Sequence, residues 1–289
     1  MGQQALHSLT LGSIYALLGV GCTLMYATHR VLYLAYGGLY ALGGYVAWWT
    51  IRANYTIWGA FTLAIVLCAL VGILSHWLLR TGLPRASETS RLLTGLGLLI
   101  CIEELCRLGI GPHHLKVIAI DSHQVHTLGP LMVTDVHWIV FGGTFALLTT
   151  VQGFLSASRF GRGIYTLLQD ASGVSCCYQS RRWLQGVTSG LGAALAGVSG
   201  VLAGLYLNDV YPAIGTAITH KILALVLIGT LGSLRGAILA AYVFALIEGV
   251  LLPATRLPIP SEVALLVALA LVSGLGPRGV PRLPWSQKG

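Results

Sequence analysis

Apolar residues in this chain run in stretches of about twenty, one after another, with only short polar, Gly or Pro segments between them. A bilayer core ~30 Å thick takes roughly 20 apolar residues per crossing helix, and within it a helix pairs every backbone group inside its own segment. Only 9% of the 289 residues are charged and 55% are hydrophobic, whereas soluble domains carry about 25% charge. The pattern therefore predicts an all-α polytopic membrane protein of eight or nine transmembrane helices, organised as a single transmembrane domain over residues 1–289.

The apolar runs place spans at Ala5 to Tyr26, Val31 to Trp49, Ile57 to Leu79, Arg91 to Ile110, Trp138 to Ser156, Trp183 to Tyr206, Thr216 to Leu234, Gly236 to Leu252 and Glu262 to Leu275. The first run continues with no A-x-A-like cleavage site, so it reads as a retained helix. Residues 111–137 form an external loop and residues 157–182 a cytoplasmic segment. With the N-terminus outside and the C-terminus in the cytoplasm, twelve of the 17 basic residues fall on the cytoplasmic side, as the positive-inside rule requires. The net charge of +8 is thus a topology signal; no basic block suited to nucleic acid is present. Membrane lipid is the expected surroundings.

The 37 glycines fit helices that approach closely. Gly192, Ala196, Gly200 and Gly204 recur every four residues, with Gly186 and Gly190 on an adjoining stripe, and predict a crowded helix contact. Two further clusters, Tyr36-Gly37-Gly38 to Gly43-Gly44 and Gly229 to Gly236 through Gly232, mark places where helices break or pack tightly. They occupy corresponding parts of two halves, the arrangement expected of an inverted repeat with broken or re-entrant segments.

Charges inside spans are costly and mark functional positions. Glu103 and Glu104 stand four and three residues before Arg107, so either carboxylate can pair with it. Lys221 and Glu248 fall toward the outer ends of their spans and can face each other or extend to the headgroups. The external loop holds His113, His114, His123, His126, His137, Asp121 and Asp135, but lacks a strong metal-ligand spacing. No metal or other cofactor is expected. The six cysteines include no C-x-x-C pair, and neither H-E-x-x-H nor G-x-S-x-G occurs, so nothing points to an enzyme. There is also no G-x-x-x-x-G-K-[ST]; ATP-derived energy would have to come from a partner. An autonomous secondary transporter or channel, with the intramembrane charges as relay or filter groups, remains the alternative.

Several segments, in order, resemble the permease family of ABC importers for branched-chain amino acids, whose relatives also import urea and short amides. The segment from Leu9 to Leu17 is similar to that family's opening helix, and Leu34-Ala35-Tyr36-Gly37 through Gly43-Gly44-Tyr45 to its second motif. Gly161-Arg162-Gly163 with Gln169-Asp170 resembles the cytoplasmic coupling segment. The run from Gly192 to Leu202 is similar to the following helix, and Lys221 with Val226 to Ala237 resembles the Gly-rich block beyond it. Gly276-Pro277-Arg278-Gly279 resembles the terminal Pro-Arg-Gly. Departures are local: Tyr36-Gly37-Gly38 stands where the family has His-Gly and an acid, and Ala171-Ser172 follows Gln169-Asp170 where the family has Pro-Glu.

The resemblance implies inward transport of a branched-chain amino acid or related small polar solute, with two cytoplasmic ATP-binding subunits, a second homologous permease and a periplasmic solute-binding protein as partners in the bacterial inner membrane. Arg159, Arg162, Gln169 and Asp170 are then the ATPase-coupling candidates. Tyr15, Tyr36, Gly37, Gly38, Glu103, Lys221, Gly229, Gly232 and Glu248 are the candidates for the translocation path.

Overall fold

The computed structural model describes residues 2–29, 31–82, 87–111, 113–117, 125–128, 131–158, 160–161, 163–164, 178–229 and 233–251. Eight helices are described: α1 (Gly2–His29), α2 (Tyr36–Arg52), α3 (Ile57–Gly82), α4 (Glu88–Ile110), α5 (Asp135–Ala157), α6 (Tyr178–Leu207), α7 (Ile214–Ile228) and α8 (Leu234–Leu246). A single π-helical turn, Ile247–Leu251, extends α8. Four helices, α1, α3, α5 and α6, contain segments long and apolar enough to cross a bilayer. The expected ninth span, Glu262 to Leu275, lies outside the described residues, as do Arg159, Arg162, Gln169, Asp170 and Gly232.

Burial separates the helices into a centre and a rim. The apolar segments of α1 and α6 are 94% and 83% buried, while those of α3 and α5 are 22% and 17% buried. A helix that is apolar all round and enclosed belongs in a core; α1 and α6 form that core with α2. Ile65, Val66, Leu70 and Leu74 of α3 and Phe145 of α5 point outward. A face of this kind would aggregate in water but matches lipid tails. Trp49, Trp58 and Trp138 lie at one end of the bundle and Trp77 and Trp183 at the other, all exposed, where amphipathic rings meet the headgroups.

Small residues set how closely the central helices approach. A methyl on Gly43 would strike the Gly197 carbonyl, and one on Gly200 the Tyr40 carbonyl. On Gly192 it would lie 2.8 Å from the Gly21 carbonyl oxygen. The four-residue stripe of α6 therefore meets α1 and α2, as its spacing predicts. The adjoining stripe meets α3: a methyl on Gly190 would press on Ile73 at 3.0 Å, and Gly197 faces Cys68 and Ala64. Asn54 and Asn208 take positive φ values of 57° and 52° just beyond the ends of α2 and α6, the left-handed residue that closes many helices.

The helical fold class holds, and the structure adds detail to the sequence reading in three places. The external loop carries a short antiparallel hairpin, Val125–Leu128 with Leu131–Thr134, with Val125 opposite Thr134. The Gly-Pro pair that the sequence carries between these two segments is the turn signal that could have found it. Of the two outcomes open to the glycine cluster of the second span, the structure shows close packing: α2 is continuous from Tyr36 to Arg52, and Gly37, Gly38 and Gly43 lie against neighbouring helices. The expected Thr216 to Leu234 span instead ends at Ile228. The Gly229 amide donates to the Leu225 carbonyl at 2.9 Å, and Ser233 starts α8 by accepting the Gly236 amide at 3.1 Å.

Candidate functional site

The second glycine cluster positions this site, because the break between α7 and α8 returns the chain alongside α1. There is no room for a side chain at the crossing: a methyl on Gly236 would overlap the Gly229 carbonyl, and one on Gly19 would press on Leu225 of α7. With α8 antiparallel to α1, the π-helical turn arrives beside the N-terminal part of α1, where a methyl on Gly249 would overlap the Ser8 hydroxyl. Such turns insert one residue per helical turn and often occur at functional sites. Here the turn carries Glu248.

Three sequence candidates converge there from three helices. Lys221 of α7 forms an ion pair with Glu248 Oε1. The Tyr15 hydroxyl of α1 donates to Glu248 Oε2 at 3.0 Å and accepts from Lys221 Nζ at 3.3 Å. Phe244 stacks obliquely on the Tyr15 ring at 5.6 Å. The side chains of Lys221 and Glu248 are 19% and 15% exposed, so the two charges meet each other and do not extend to the headgroups. Both are shielded but reachable.

Access is from a cavity of about 500 Å³ lined by Gln3, Gln4, His7, His137, Tyr206 and Glu248, with Leu11 and Gly249. This size lies within the roughly 300–1,000 Å³ of small-molecule sites. His7 Nδ1 and the Tyr206 hydroxyl are hydrogen-bonded at 2.6 Å, and His137 packs edge-on against Tyr206 at 5.3 Å between ring centres. His137 Nδ1 accepts the Thr134 amide at 3.2 Å, so its neutral ring carries the proton on Nε2. The sequence places His137 in a loop, and His7, Gln3, Gln4 and Tyr206 are not among the candidates it offers. The signal was available for α1: residues 4, 7 and 11 follow the i, i+3, i+7 spacing of one helix face, and 3, 7 and 11 the i, i+4, i+8 spacing beside it.

Glu103 takes a separate post. It does not pair with Arg107, whose partner is Glu104 at 2.6 Å on the half-exposed face of α4. Glu103 instead accepts the Thr216 amide at 2.6 Å and the Thr216 hydroxyl at 3.0 and 2.8 Å. The residue before α7, Ala213, has no side-chain cap to offer. A carboxylate from α4 supplies it, at the end of the helix where the dipole favours negative charge.

The remaining candidates lie deeper. A methyl on Gly37 would collide with Thr219 and with the Gly215 carbonyl, and one on Gly38 would press on Ile102 and Leu99 at 3.3 Å. Tyr36 is 1% exposed, its hydroxyl against Gly21 and without a hydrogen-bond partner among the described residues.

An enclosed three-helix core, a lipid-matched rim, and a cavity that reaches Glu248 of a shielded ion pair are the features of a multi-pass membrane permease. A family model described as "Branched-chain amino acid transport system / permease component" matches residues 4–273, and the chain belongs to that family. It is 25% identical to the high-affinity branched-chain amino acid transport system permease protein LivH of Salmonella typhimurium, over 97% of this chain and 96% of the relative. The Escherichia coli K12 LivH protein gives the same identity and the same coverage. The corresponding permease protein BraD of Pseudomonas aeruginosa is 23% identical over 85% of this chain and 84% of its own length. No solved structure matches the chain.

Proposed function

We propose that this chain is one of two permease subunits of a bacterial inner-membrane ABC importer, carrying a branched-chain amino acid into the cell. The family match along residues 4–273 carries the proposal. The cavity supports it physically, because it combines apolar wall with the polar side chains of Gln3, Gln4, His7 and His137 and reaches Glu248 of the Tyr15–Lys221–Glu248 cluster. The chain lies with its N-terminus outside and its C-terminus in the cytoplasm, so the cavity faces the side from which a periplasmic solute-binding protein delivers solute.

Energy enters from two ATP-binding subunits. The Arg159 to Arg182 segment docks against them, with Arg159, Arg162, Gln169 and Asp170 as its anchors, and nucleotide-driven closure passes from there to α5 and α6. The glycine clusters then act as the sliding surfaces of alternating access. Gly37 and Gly38 let α2 move against α7 and α4, while Gly229 marks the break about which α7 and α8 shift. An inverted repeat of eight or nine spans, with one cluster in each half, is the architecture this reading uses.

The test is purification of the tagged chain from mild detergent, followed by reconstitution with the solute-binding protein. Co-purifying P-loop ATPases and a second permease, with ATP-dependent leucine uptake, support the proposal. A homo-oligomer that transports without ATP refutes it. In the assembled complex, Arg162→Ala with Asp170→Ala should uncouple ATP hydrolysis from uptake; wild-type coupling in that double variant removes the docking role.

A further inference from the structure

We infer that the Lys221–Glu248 pair reads the charged head of an α-amino acid: it opens so that Lys221 meets the solute carboxylate and Glu248 the solute ammonium. This deepens the proposed importer function and rests on it. The chemistry follows from where the pair lies. Glu248 lines the cavity, and both side chains are less than a fifth exposed. The Glu104–Arg107 ion pair and the His114–Asp209 hydrogen bond are far more exposed, so screening makes each nearly independent of what approaches it.

Opening a shielded ion pair is costly because it leaves two charges unpaired. A zwitterion removes that cost. Its carboxylate and ammonium remake both contacts, the local net charge is unchanged, and one internal pair becomes two solute contacts. A urea or a short amide carries no charge and would leave each ion facing a dipole. A site whose buried polar groups need a partner rejects analogues that lack one. The cluster therefore selects a zwitterionic amino acid over the uncharged amides that the sequence resemblance leaves open.

Tyr15 makes the exchange practicable. Its hydroxyl touches both ions, so it can keep its bond to Glu248 while the flexible Lys221 chain turns toward the solute. Placing Glu248 on a π-helical turn leaves its carboxylate beside the cavity. Leu11 on the cavity wall gives apolar contact to the solute's side chain.

The first test uses the unmodified complex, purified with its partner subunits. Binding of radiolabelled leucine should be competed by norleucine, and at least about tenfold less well by 4-methylpentanamide or isoamylamine, which lack one or both charges. Equal competition by the amide overturns the inference. The second test replaces both charges together, Lys221→Met with Glu248→Leu, because removing a whole pair is tolerated far better than removing one ion. The double variant should still co-purify with its partner subunits while leucine uptake falls at least about tenfold; uptake within twofold of wild type overturns the inference. Failure of the importer reading has a different signature, since the unmodified complex would then show no ATP-dependent leucine uptake.

Discussion

Replacing Gly43 by alanine tests whether backbone-to-backbone contact is what sets the spacing of the central helices. The added methyl would overlap the Gly197 carbonyl oxygen and lie 2.8 Å from both the Gly197 carbonyl carbon and its Cα. All three are backbone atoms of a buried helix, so no side chain can rotate away; α2 and α6 must separate. Overpacking costs typically 1–3 kcal/mol, and with nothing flexible to yield, Gly43→Ala belongs at about 2–3 kcal/mol. At ~2–4 °C per kcal/mol for a chain of this size, the unfolding midpoint falls by roughly 4–12 °C. Gly200→Ala strikes the Tyr40 carbonyl across the same contact and should behave alike. One separation of α2 from α6 relieves both overlaps, so the double variant should cost clearly less than the sum. Cys22, Cys68 and Cys106 are buried and Cys101 is exposed, so the rise of a thiol-reactive fluorophore's signal above the folded protein's baseline in detergent reports unfolding, with all variants heated at one scan rate. The control is Gly142→Ala on α5, where a methyl meets nothing within 4 Å and the midpoint should not fall. Equal midpoints for Gly43→Ala and Gly142→Ala would refute the packing argument.

Removing the cap on α7 with Glu103→Ala should cost about 0.5–2 kcal/mol, with Glu103→Gln losing less because an amide oxygen still accepts from Thr216; identical midpoints for the two variants in the fluorophore assay would deny the capping role. A double-mutant cycle on Glu104 and Arg107 should return a coupling below ~1 kcal/mol that shrinks with added salt, as for any half-exposed pair; a larger, salt-insensitive coupling would mean the pair is shielded by a partner. Ser189→Ala removes the hydroxyl that donates to the Gly72 carbonyl at 2.9 Å between α6 and α3, and should lower stability by about 0.5–1.5 kcal/mol, read from the same melting curves; an unchanged midpoint would show that this bond contributes nothing. For orientation, a fluorescent protein fused to the C-terminus should fluoresce and an alkaline phosphatase fused there should be inactive, the reverse pattern inverting the topology.

The composition and the length of the apolar runs were enough to specify a helical membrane protein, because a bilayer leaves the backbone few choices and needs a fixed length to be crossed. The stripe Gly192, Ala196, Gly200 and Gly204 was readable for the same reason: spacing by four defines a helix face, and small residues define what that face can accept. The facing of Lys221 and Glu248 was legible only as one of two outcomes, since each side chain could equally have extended to the headgroups. What decided it was the break at Gly229 and the turn at Ile247–Leu251, which bring α8 back along α1 and place Glu248 beside Tyr15. Glu103 shows the same limit. Helical spacing offered it Arg107, yet its partner is the Thr216 backbone, 113 residues away in the chain. A sequence records which faces a helix can present, because periodicity is local. Which partner each face receives depends on how distant helices cross and where they break, and those contacts exist only once the chain has folded.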